Sequence, residues 1–516
     1  MALILASVTD KTGLVDFAKK LVSGKEAVDF LASGGTARTL EEGGIAVKKV
    51  ADFTGSPEML DGRVKTLHPN IHGALLARNT KADLAELSSL GIKPIDILVC
   101  NLYAFEKTVA RAGSELECIE NIDIGGVALL RAAAKNFERV TVLCEPSDYD
   151  RVAEEFLQKG FVSLETRRAL AAKAFALCTR YDAAITDWFT SGDEKFIHGH
   201  KIQDLRYGEN PHQAATLYSD KASCGVLGGK LLQGKELSYN NILDTDAAWR
   251  AVSIFDKPAA VVVKHLTPCG IAELGSDEPA SLHKAVAAAI ACDPVSAYGG
   301  IIAVNSVFDT KALEAFGDLF VECLIAPKFT DEVKKLLVKK KNWRIIEAPL
   351  PSTSQTKEFR SVLGGFLVQD VDHGDPTKTQ EYKVATKRKP TEKEFSLLGF
   401  AWKSCTLVKS NAILLASFID VNNPKLGTCT VGIGCGQPNR VDAARHAIAR
   451  AGEKAKLAVL ASDAFMPFPD TVQVAAQAGV SAIIQPGGSI RDNLSIDECN
   501  KNNIAMLFTG VRHFKH

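Results

Sequence analysis

The sequence lacks a surplus of either charge. Its 516 residues carry 61 basic and 61 acidic side chains, a formal net charge of zero. That argues against a dedicated nucleic-acid binder, whose affinity rests on a basic excess; a local basic pocket for one phosphate is still allowed. No apolar stretch approaches the ~20 residues that span a bilayer, so no membrane partner is expected. The N-terminal MALILASVTDKTG has no basic leader region and turns polar within a few positions, so it reads as a buried first strand rather than a signal peptide. Cys-x-x-Cys is missing as well. The 12 cysteines are scattered singly, which supports neither a zinc ribbon nor a thioredoxin-type site. Several, such as Cys100, Cys144 and Cys178, stand in apolar runs, as reduced core cysteines of a cytoplasmic protein do. There is no Walker loop: GVLGGK, Gly225 to Lys230, is a residue short and no Ser or Thr follows.

What is present is a globular composition, 46% apolar and 24% charged, in a chain too long for one core. About two to four domains are expected at this length. The first half alternates apolar runs with amphipathic stretches: strand ALILASV, helix GLVDFAKKLV, strand and turn AVDFLASGG, strand IDILVCNLY with a helix from near Phe105, strand RVTVLCEP, helix YDRVAEEFLQKG. This βαβ pattern predicts a mainly parallel, doubly wound sheet whose ligands sit at the carboxyl ends of the strands. A helix fills Leu164 to Phe189, and the polar, turn-rich segment after it marks a boundary near Gly192 to His200. The division expected is 1–197 and 198–516. The second half alternates again, with strands AAVVVKH, GGIIAV, TLVKSNAILLA and SAIIQP. AVVVKHLTPCGIA and TLVKSNAILLA are each expected to set a Val-Lys pair at a strand end (Lys264 and Lys409), an echo that suggests duplicated α/β subdomains. The charge run LVKKKNW is expected to be a solvated helix face.

Four N-terminal segments point to one chemistry. TDKTG sets Lys11 and Thr12 after the first strand, and SGGT sets Ser33, Gly35 and Thr36 after the second. Glycines let backbone approach a ligand, and the free N–H groups of a helix start favour an anion such as phosphate; a plain strand-to-helix turn is the competing reading. GRVKTLHPNIHG concentrates Arg63, Lys65, Thr66, His68 and His72, and could also be a solvated loop. CNLYAF carries Asn101 and Tyr103. ENIDIGGVALLRAAAKN places Asp123 before Ile124, Gly125 and Gly126 and a helix reaching Lys135; a structural N-cap role for Asp123 competes there.

In the second half, LRYGENPHQ carries Arg206 and Tyr207, and VVVKHLTPCGIA ends an apolar strand on Lys264 and His265. KSNAI offers Asn411. VGIGCGQPNR offers a glycine turn entering a helix, with Gln437 and Arg440. Its glycines run G-x-G-x-G, which is not the dinucleotide pattern.

Taken in order, SVTDKTG, LASGGT, GRVKTLHP, NLYAF, IDIGGVALLRAAAKN and VLCEPSDYD resemble the IMP cyclohydrolase domain of the bifunctional purine-synthesis family. LRYGENPHQ, GKELSYNNILDTDAAW, KHLTPCG, DPVSAYGGIIAVN, KSNAI, VGIGCGQPNR, ASDAFMPFPD, IIQPGGSIRD and FTGVRHFKH resemble its AICAR transformylase domain, and together the blocks span the chain. The resemblance implies a methylglyoxal-synthase-like sheet followed by a duplicated, cytidine-deaminase-like α/β domain. Zinc deamination is disfavoured, because Pro268-Cys269 is followed by Gly270, Ile271 and Ala272 and the second thiolate of P-C-x-x-C is missing; no metal is expected.

The implied activity is formyl transfer from 10-formyltetrahydrofolate to the 5-amine of AICAR, then ring closure of formyl-AICAR to IMP with loss of water. The resemblance makes Lys11, Thr12, Ser33, Gly35, Thr36, Arg63, Thr66 and Asn101 nucleotide-binding. It sets Lys65, Tyr103, Asp123 and Lys135 around the reacting atoms of ring closure, with the N–H groups of Ile124 to Gly126 for the oxyanion. His265 becomes the general base of formyl transfer, kept neutral by Lys264, with Asn411 orienting the formyl oxygen or the base. Arg206, Tyr207, Asn240, Gln437, Arg440, Phe465, Asp470 and Arg512 are implied to bind nucleotide or reduced folate. Tyr298 and Met466 stand where the family often has Phe. The family also implies a cytoplasmic homodimer with small-molecule partners only. Two other readings are a methylglyoxal-synthase-like lyase fused to an unrelated domain and a catalytically silent nucleotide binder; the second has no need for the whole reactive set.

Overall fold

The computed structural model describes residues 1–219, 226–275, 282–351, 357–376 and 382–516; Cys224 and Gly225 lie outside the described residues. The chain divides into two compact units, Met1–His198 and Gly199–His516.

In the N-terminal unit, five strands form one sheet: β1 (Ala2–Ser7), β2 (Val28–Ala32), β3 (Val47–Lys49), β4 (Ile97–Cys100) and β5 (Thr141–Leu143). The order is β3-β2-β1-β4-β5 and every pairing is parallel. Ile4, Leu5 and Ala6 of β1 and all of β4 are buried, as continuous apolar runs are when helices cover both faces. The helices are α1 (Leu14–Val22), α2 (Gly34–Glu42), α3 (Val50–Thr54), α4 (Pro69–Leu76), α5 (Lys81–Ser89), α6 (Phe105–Ala110), α7 (Glu115–Glu120), α8 (Gly125–Lys135), α9 (Tyr149–Lys159) and α10 (Leu164–Phe189). Ser163 opens α10 by accepting from the Thr166 N–H, a side-chain cap for one orphan donor.

The C-terminal unit starts with the hairpin β6 (His200–Leu205) and β7 (Ala215–Ser219). Its centre is a sheet of 12 strands. The first half has β8 (Lys230–Gln233), β9 (Ala259–Lys264), β10 (Thr267–Leu274), β11 (Gly300–Val304), β12 (Val321–Ala326) and β13 (Arg344–Glu347). A separate hairpin follows, β14 (Lys357–Val362) and β15 (Gly365–Asp370). The second half has β16 (Lys383–Val384), β17 (Ile413–Phe418), β18 (Gly427–Gly434), β19 (Val459–Ser462), β20 (Ala482–Gln485) and β21 (Ala505–Phe508). The helices are α11 (Tyr239–Ser253), α12 (His283–Ile290), α13 (Pro294–Ala297), α14 (Thr310–Glu314), α15 (Asp331–Leu337), α16 (Glu392–Cys405), α17 (Arg440–Ala451), α18 (Asp470–Gln477) and α19 (Asp492–Lys501).

The sheet order, β16-β21-β20-β19-β17-β18-β10-β9-β11-β12-β13-β8, reads as one six-strand plan and its mirror. In each half an antiparallel hairpin (β9–β10, β17–β18) is followed by three parallel strands and closed by an antiparallel edge. The unit is therefore a duplication, joined where β10 pairs with β18. The halves do not align as the Val-Lys echo predicts. Lys264 ends β9, but Lys409 lies between α16 and β17, before the strand rather than after it. LVKKKNW also differs from expectation. Leu337 is the last residue of α15, so the lysines form the solvated turn beyond the helix, and Trp343 returns to the core.

Both halves press a helix onto a glycine of the hairpin's second strand. A methyl group on Gly270 would fall 1.8 Å from the Ala289 carbonyl oxygen of α12, and one on Gly434 1.9 Å from that of Ala443 in α17. Gly434→Ala is therefore expected to destabilise the C-terminal unit by about 1–3 kcal/mol through overpacking. Gly399→Ala in α16, where nothing lies within 4 Å, should stabilise it by about 0.5–1 kcal/mol from helix propensity. Thermal melting of the two variants checks both signs.

Candidate active sites

The strand order of the N-terminal sheet reverses between β1 and β4, whose last residues, Ser7 and Cys100, are paired. Ligands of doubly wound sheets bind at such a reversal. Asn101 fixes the loop that leaves β1: its Oδ1 accepts from the N–H groups of Thr9 (2.6 Å) and Asp10 (3.1 Å), and its Nδ2 donates to the Asp10 carbonyl. Thr12 donates its hydroxyl to Asp10 at 2.6 Å. Asn101 and Thr12 thus shape the loop, while Lys11 reaches across to α2. A Cβ on Gly35 would sit 3.8 Å from Lys11 Nζ, and one on Gly34 3.2 Å from Lys65 Nζ. Two ammonium groups therefore flank the start of α2, where Ser33 is the N-cap with no capping bond of its own. Helix dipole and cations act in the same sense on an anion.

The loop bearing Lys65 also touches α8. A Cβ on Gly125 would meet Thr66 Oγ1 at 3.2 Å. Lys65 is further paired with Glu58 at 3.2 Å. Asp123 Oδ1 accepts from the Gly126 N–H at 2.6 Å, and Oδ2 accepts from the Tyr103 N–H at 3.3 Å. Burial pushes the Asp123 carboxyl above its ordinary value, only partly offset by those two backbone bonds. Tyr103 is 45% exposed and meets that carboxyl through its backbone N–H. The structure thus brings together Lys11, Ser33, Gly35, Lys65, Thr66, Tyr103, Asp123, Ile124 and Gly125.

Four expected residues sit otherwise. Thr36 is buried, and its hydroxyl exchanges both hydrogen bonds with the backbone of Val8, so it fastens α2 to β1. Arg63 is ion-paired with Glu120. The Gly126 N–H is taken by Asp123, leaving those of Ile124 and Gly125 at the start of α8. Lys135 ends α8, about 15 Å from Gly125 along the axis. It lines a separate cleft of about 880 Å³ with His72, Arg131, Phe137, Arg168 and Phe175.

Sequence reasoning missed Tyr181. From α10 its hydroxyl accepts from the Asp123 N–H at 2.8 Å and donates to the Asn121 carbonyl at 2.7 Å, so it positions the buried carboxylate. No motif signals it; only its place on an apolar stripe of a long helix does.

In the C-terminal unit, β9 and β10 are joined by His265 and Leu266, both left-handed (φ 54° and 63°), as a two-residue hairpin turn requires. Non-glycine residues resist that conformation. Asp244 of α11 holds the turn by accepting the N–H groups of His265 (3.2 Å) and Leu266 (2.7 Å), leaving the His265 ring exposed. Lys264 donates to the Tyr298 carbonyl at 2.7 Å. Thr267 is hydrogen-bonded to the Cys435 thiol, and the Asn411 amide donates to the Gln437 carbonyl at 2.8 Å. The His265 turn and the Asn411–Gln437 loop therefore share one end of the central sheet.

Asn240, one turn before Asp244, donates to the Glu209 carbonyl and so places the loop of Arg206 and Tyr207 beside α11; the Arg206 guanidinium lies 5.4 Å from the Tyr207 ring. Arg440 pairs at 2.9 Å with Asp463, which is fully buried, and donates to the Phe465 carbonyl. The Phe465 ring is partly exposed. Asp470 opens α18 and Arg512 lies over Phe514. Asp244 and Asp463 lay inside motif blocks but were not singled out. The Cys269 thiol is buried, donates to the Val262 carbonyl and is pushed up to about 12 by burial. Among the described residues no cluster of three His, Cys, Asp or Glu fits a metal ion.

The raised Asp123 carboxyl favours the protonated form in the folded state. Stability should therefore fall as pH rises through the carboxylate range, the reverse of a salt-bridged acid. Asp123→Asn is expected to raise the melting temperature of the N-terminal unit at pH 7.5, with the gain shrinking below pH 4. Calorimetry of both proteins across that range checks it.

Comparison with known proteins matches residues 13–128 to the MGS-like domain model and residues 133–450 to the model described as AICARFT/IMPCHase bienzyme. The bifunctional purine biosynthesis protein PurH of Halalkalibacterium halodurans is 49% identical over 524 aligned positions, covering 99% of each chain. Those of Bacillus cytotoxicus and Bacillus cereus (strain AH187) are 47% identical, again over 99% of each chain. A solved structure titled "Crystal structure of ForH" is 37% identical over 36% of this chain and 98% of that one, with a TM-score of 0.32. Matched at nearly half of all positions along its whole length, the chain belongs to the AICARFT/IMPCHase bienzyme family of bifunctional purine biosynthesis proteins.

Proposed function

We propose that this protein catalyses the last two steps of IMP synthesis, formyl transfer to AICAR in the C-terminal unit and ring closure of formyl-AICAR in the N-terminal unit. The observation that carries the reading is end-to-end similarity to bifunctional purine biosynthesis proteins, in a chain whose N-terminal unit sets two ammonium groups beside the start of α2. The formyl donor is 10-formyltetrahydrofolate.

In ring closure, the substrate phosphate lies at the start of α2 between Lys11 and Lys65. The carboxamide nitrogen attacks the formamido carbon; a C–N bond forms, that nitrogen loses one proton, and the carbonyl oxygen becomes an oxyanion; the formamido nitrogen then gives up its own proton and forms a C=N bond as the C–O bond breaks, and the oxygen leaves as water carrying both protons. An amide nitrogen is a poor nucleophile, so alignment and oxyanion stabilisation supply most of the effect. The Ile124 and Gly125 N–H groups and Lys65 suit the oxyanion. Asp123, with its raised pKa, suits proton traffic, with Tyr103 beside it. Lys135 has no step here.

In formyl transfer, the AICAR amine attacks the formyl carbon, giving a tetrahedral intermediate that expels the folate nitrogen as it gains a proton. His265 takes the amine proton. Its exposed ring on a braced turn supports that role. Asn411 orients the formyl oxygen; Arg206, Asn240, Gln437, Arg440 and Phe465 hold nucleotide or folate. Among the described residues 11 cysteines are free and no helix is long and apolar enough to cross a membrane, which supports a cytoplasmic setting. A homodimer fits the β14–β15 hairpin, whose Phe359, Val362, Leu363, Phe366, Leu367 and Val368 are all at least 41% exposed; a lone two-stranded hairpin is marginal in water.

Incubation with AICAR and 10-formyltetrahydrofolate, followed by IMP absorbance, is the test. His265→Ala should lower formyl transfer roughly 10²–10⁴-fold and leave closure of supplied formyl-AICAR intact. Lys65→Ala should lower closure about 10²–10³-fold and spare transfer. Loss of both activities from either change, in a folded protein, refutes the two-site assignment. Tight AICAR binding without turnover favours the silent binder.

A further inference from the structure

After β21 the chain runs without regular structure from Thr509 to His516, yet His513 in that tail is only 3% exposed. Its Nδ1 lies 2.7 Å from Asp372 Oδ2 and its Nε2 3.0 Å from Asp375 Oδ1. A neutral imidazole has one N–H and cannot donate to two carboxylates. The geometry therefore holds an imidazolium between two acids.

The acids have further partners. Asp375 also accepts from the Trp402 indole N–H at 3.1 Å and the Tyr382 hydroxyl at 2.9 Å; Asp372 accepts from the Gly374 N–H at 2.9 Å. Trp402, from α16, stands edge-on to the imidazole with ring centres 5.2 Å apart. Of the charged groups nearby, Lys515 and His373 act on Asp372. Burial alone would lower the imidazole pKa, but the bonds to Asp372 and Asp375 outweigh it and hold it above the ordinary histidine value.

The same tail touches the transferase site. The His513 N–H donates to the Asp463 carbonyl at 3.2 Å. Ser410 donates its N–H to the Lys515 carbonyl (2.9 Å), and the Lys515 N–H donates to Ser410 Oγ (3.1 Å). Ser410 Oγ also donates to Asp463 at 2.5 Å, and Asp463 holds Arg440. Ser410 immediately precedes Asn411. A chain of direct bonds thus runs from the His513 ring, through the tail, to two groups assigned to formyl transfer.

We propose that His513 is a positioning residue for formyl transfer: clamped between Asp372 and Asp375, it fastens the C-terminal tail against Ser410 and Asp463 and so keeps Asn411 and Arg440 in place. The inference rests on the function proposed above. The latch has a sign in pH. A raised histidine pKa makes the clamp complete below that value and loses it as pH rises through it.

Full-length His513→Gln tests it, with both reactions measured on one preparation. Formyl transfer should fall roughly tenfold in kcat/KM, the scale of one charge-assisted hydrogen bond, with KM for AICAR raised, while closure of supplied formyl-AICAR is unchanged. The wild-type transfer rate should decline as pH rises beyond the ordinary histidine range, and that decline should be missing from His513→Gln. Adding Asp372→Asn to it should restore part of the rate by removing an unpaired carboxylate. If His513→Gln does not fold, Asp372→Asn alone should give a smaller loss and a shifted alkaline limb. Wild-type kinetics and pH profile in the folded variants, or equal loss of both reactions, overturn the latch and leave the function standing. Absence of formyl transfer from the wild-type protein overturns the function and the latch together.

Discussion

The C-terminal unit depends on the pairing of β10 with β18. Each half of the duplicated sheet has an edge strand that would expose unpaired backbone groups on its own; joined there, the halves form one continuous sheet and both edges vanish into it. The ladder pairs only Ala272 to Leu274 with Cys429 to Gly427. Next in line the Thr430 hydroxyl takes over, accepting from the Ile271 N–H and donating to its carbonyl. Regular pairing thus gives way to side-chain contacts toward the end where the His265 turn meets Cys435. The chemistry proposed for this unit sits where the duplication is sewn together, with residues from both halves.

Close packing secures that seam. Gly270 and Gly434 let α12 and α17 lie directly on the two central strands, one glycine from each half in equivalent roles. Neither position carries a functional group, yet both decide how near a helix comes to the strands that carry them. Asp244 does similar work on the turn itself. Two consecutive left-handed side-chain residues at His265 and Leu266 are unfavourable, and the carboxylate bound to both N–H groups offsets the strain.

Much of this was legible in the sequence, for physical reasons. Buried parallel strands must be continuously apolar, so ALILASV and IDILVC announce themselves. Helix α10 matches its pattern from Leu164 to Phe189 because Ser163 caps it and a long amphipathic stripe follows. The duplication was legible as alternation, but the Val-Lys echo misaligned it, since two residues say nothing about which side of a strand they flank. Side-chain direction was less legible still. Thr36 looks like a ligand in SGGT, yet Val8 takes its hydroxyl; Arg63 looks like a phosphate anchor, yet Glu120 holds it. Lys135 stands at the far end of the helix that begins at Gly125, a separation from Asp123 that helix geometry lets the sequence alone reckon. Tyr181, Asp463 and His513 act through contacts 23 or more positions distant in the chain, which no local motif encodes.

A net charge of zero is compatible with two anion-binding sites because the relevant field is local. At physiological salt, exposed charges more than about 8 Å apart scarcely sense one another, so the 61 acids elsewhere do little to weaken Lys11 and Lys65 at the start of α2. What matters is whether a cation's nearest partner is an acid or an open helix terminus. Arg63 is paired with an acid; among the described residues Lys11 donates to the Thr9 carbonyl and has no acidic partner. Lys65 lies between these cases, paired with Glu58 at 3.2 Å while standing over Gly34. On the function proposed above, a doubly charged phosphate at α2 would compete directly with that single carboxylate, with the helix terminus adding to its pull. Substrate binding would then turn Lys65 from a surface ion pair toward the reacting end of the cleft.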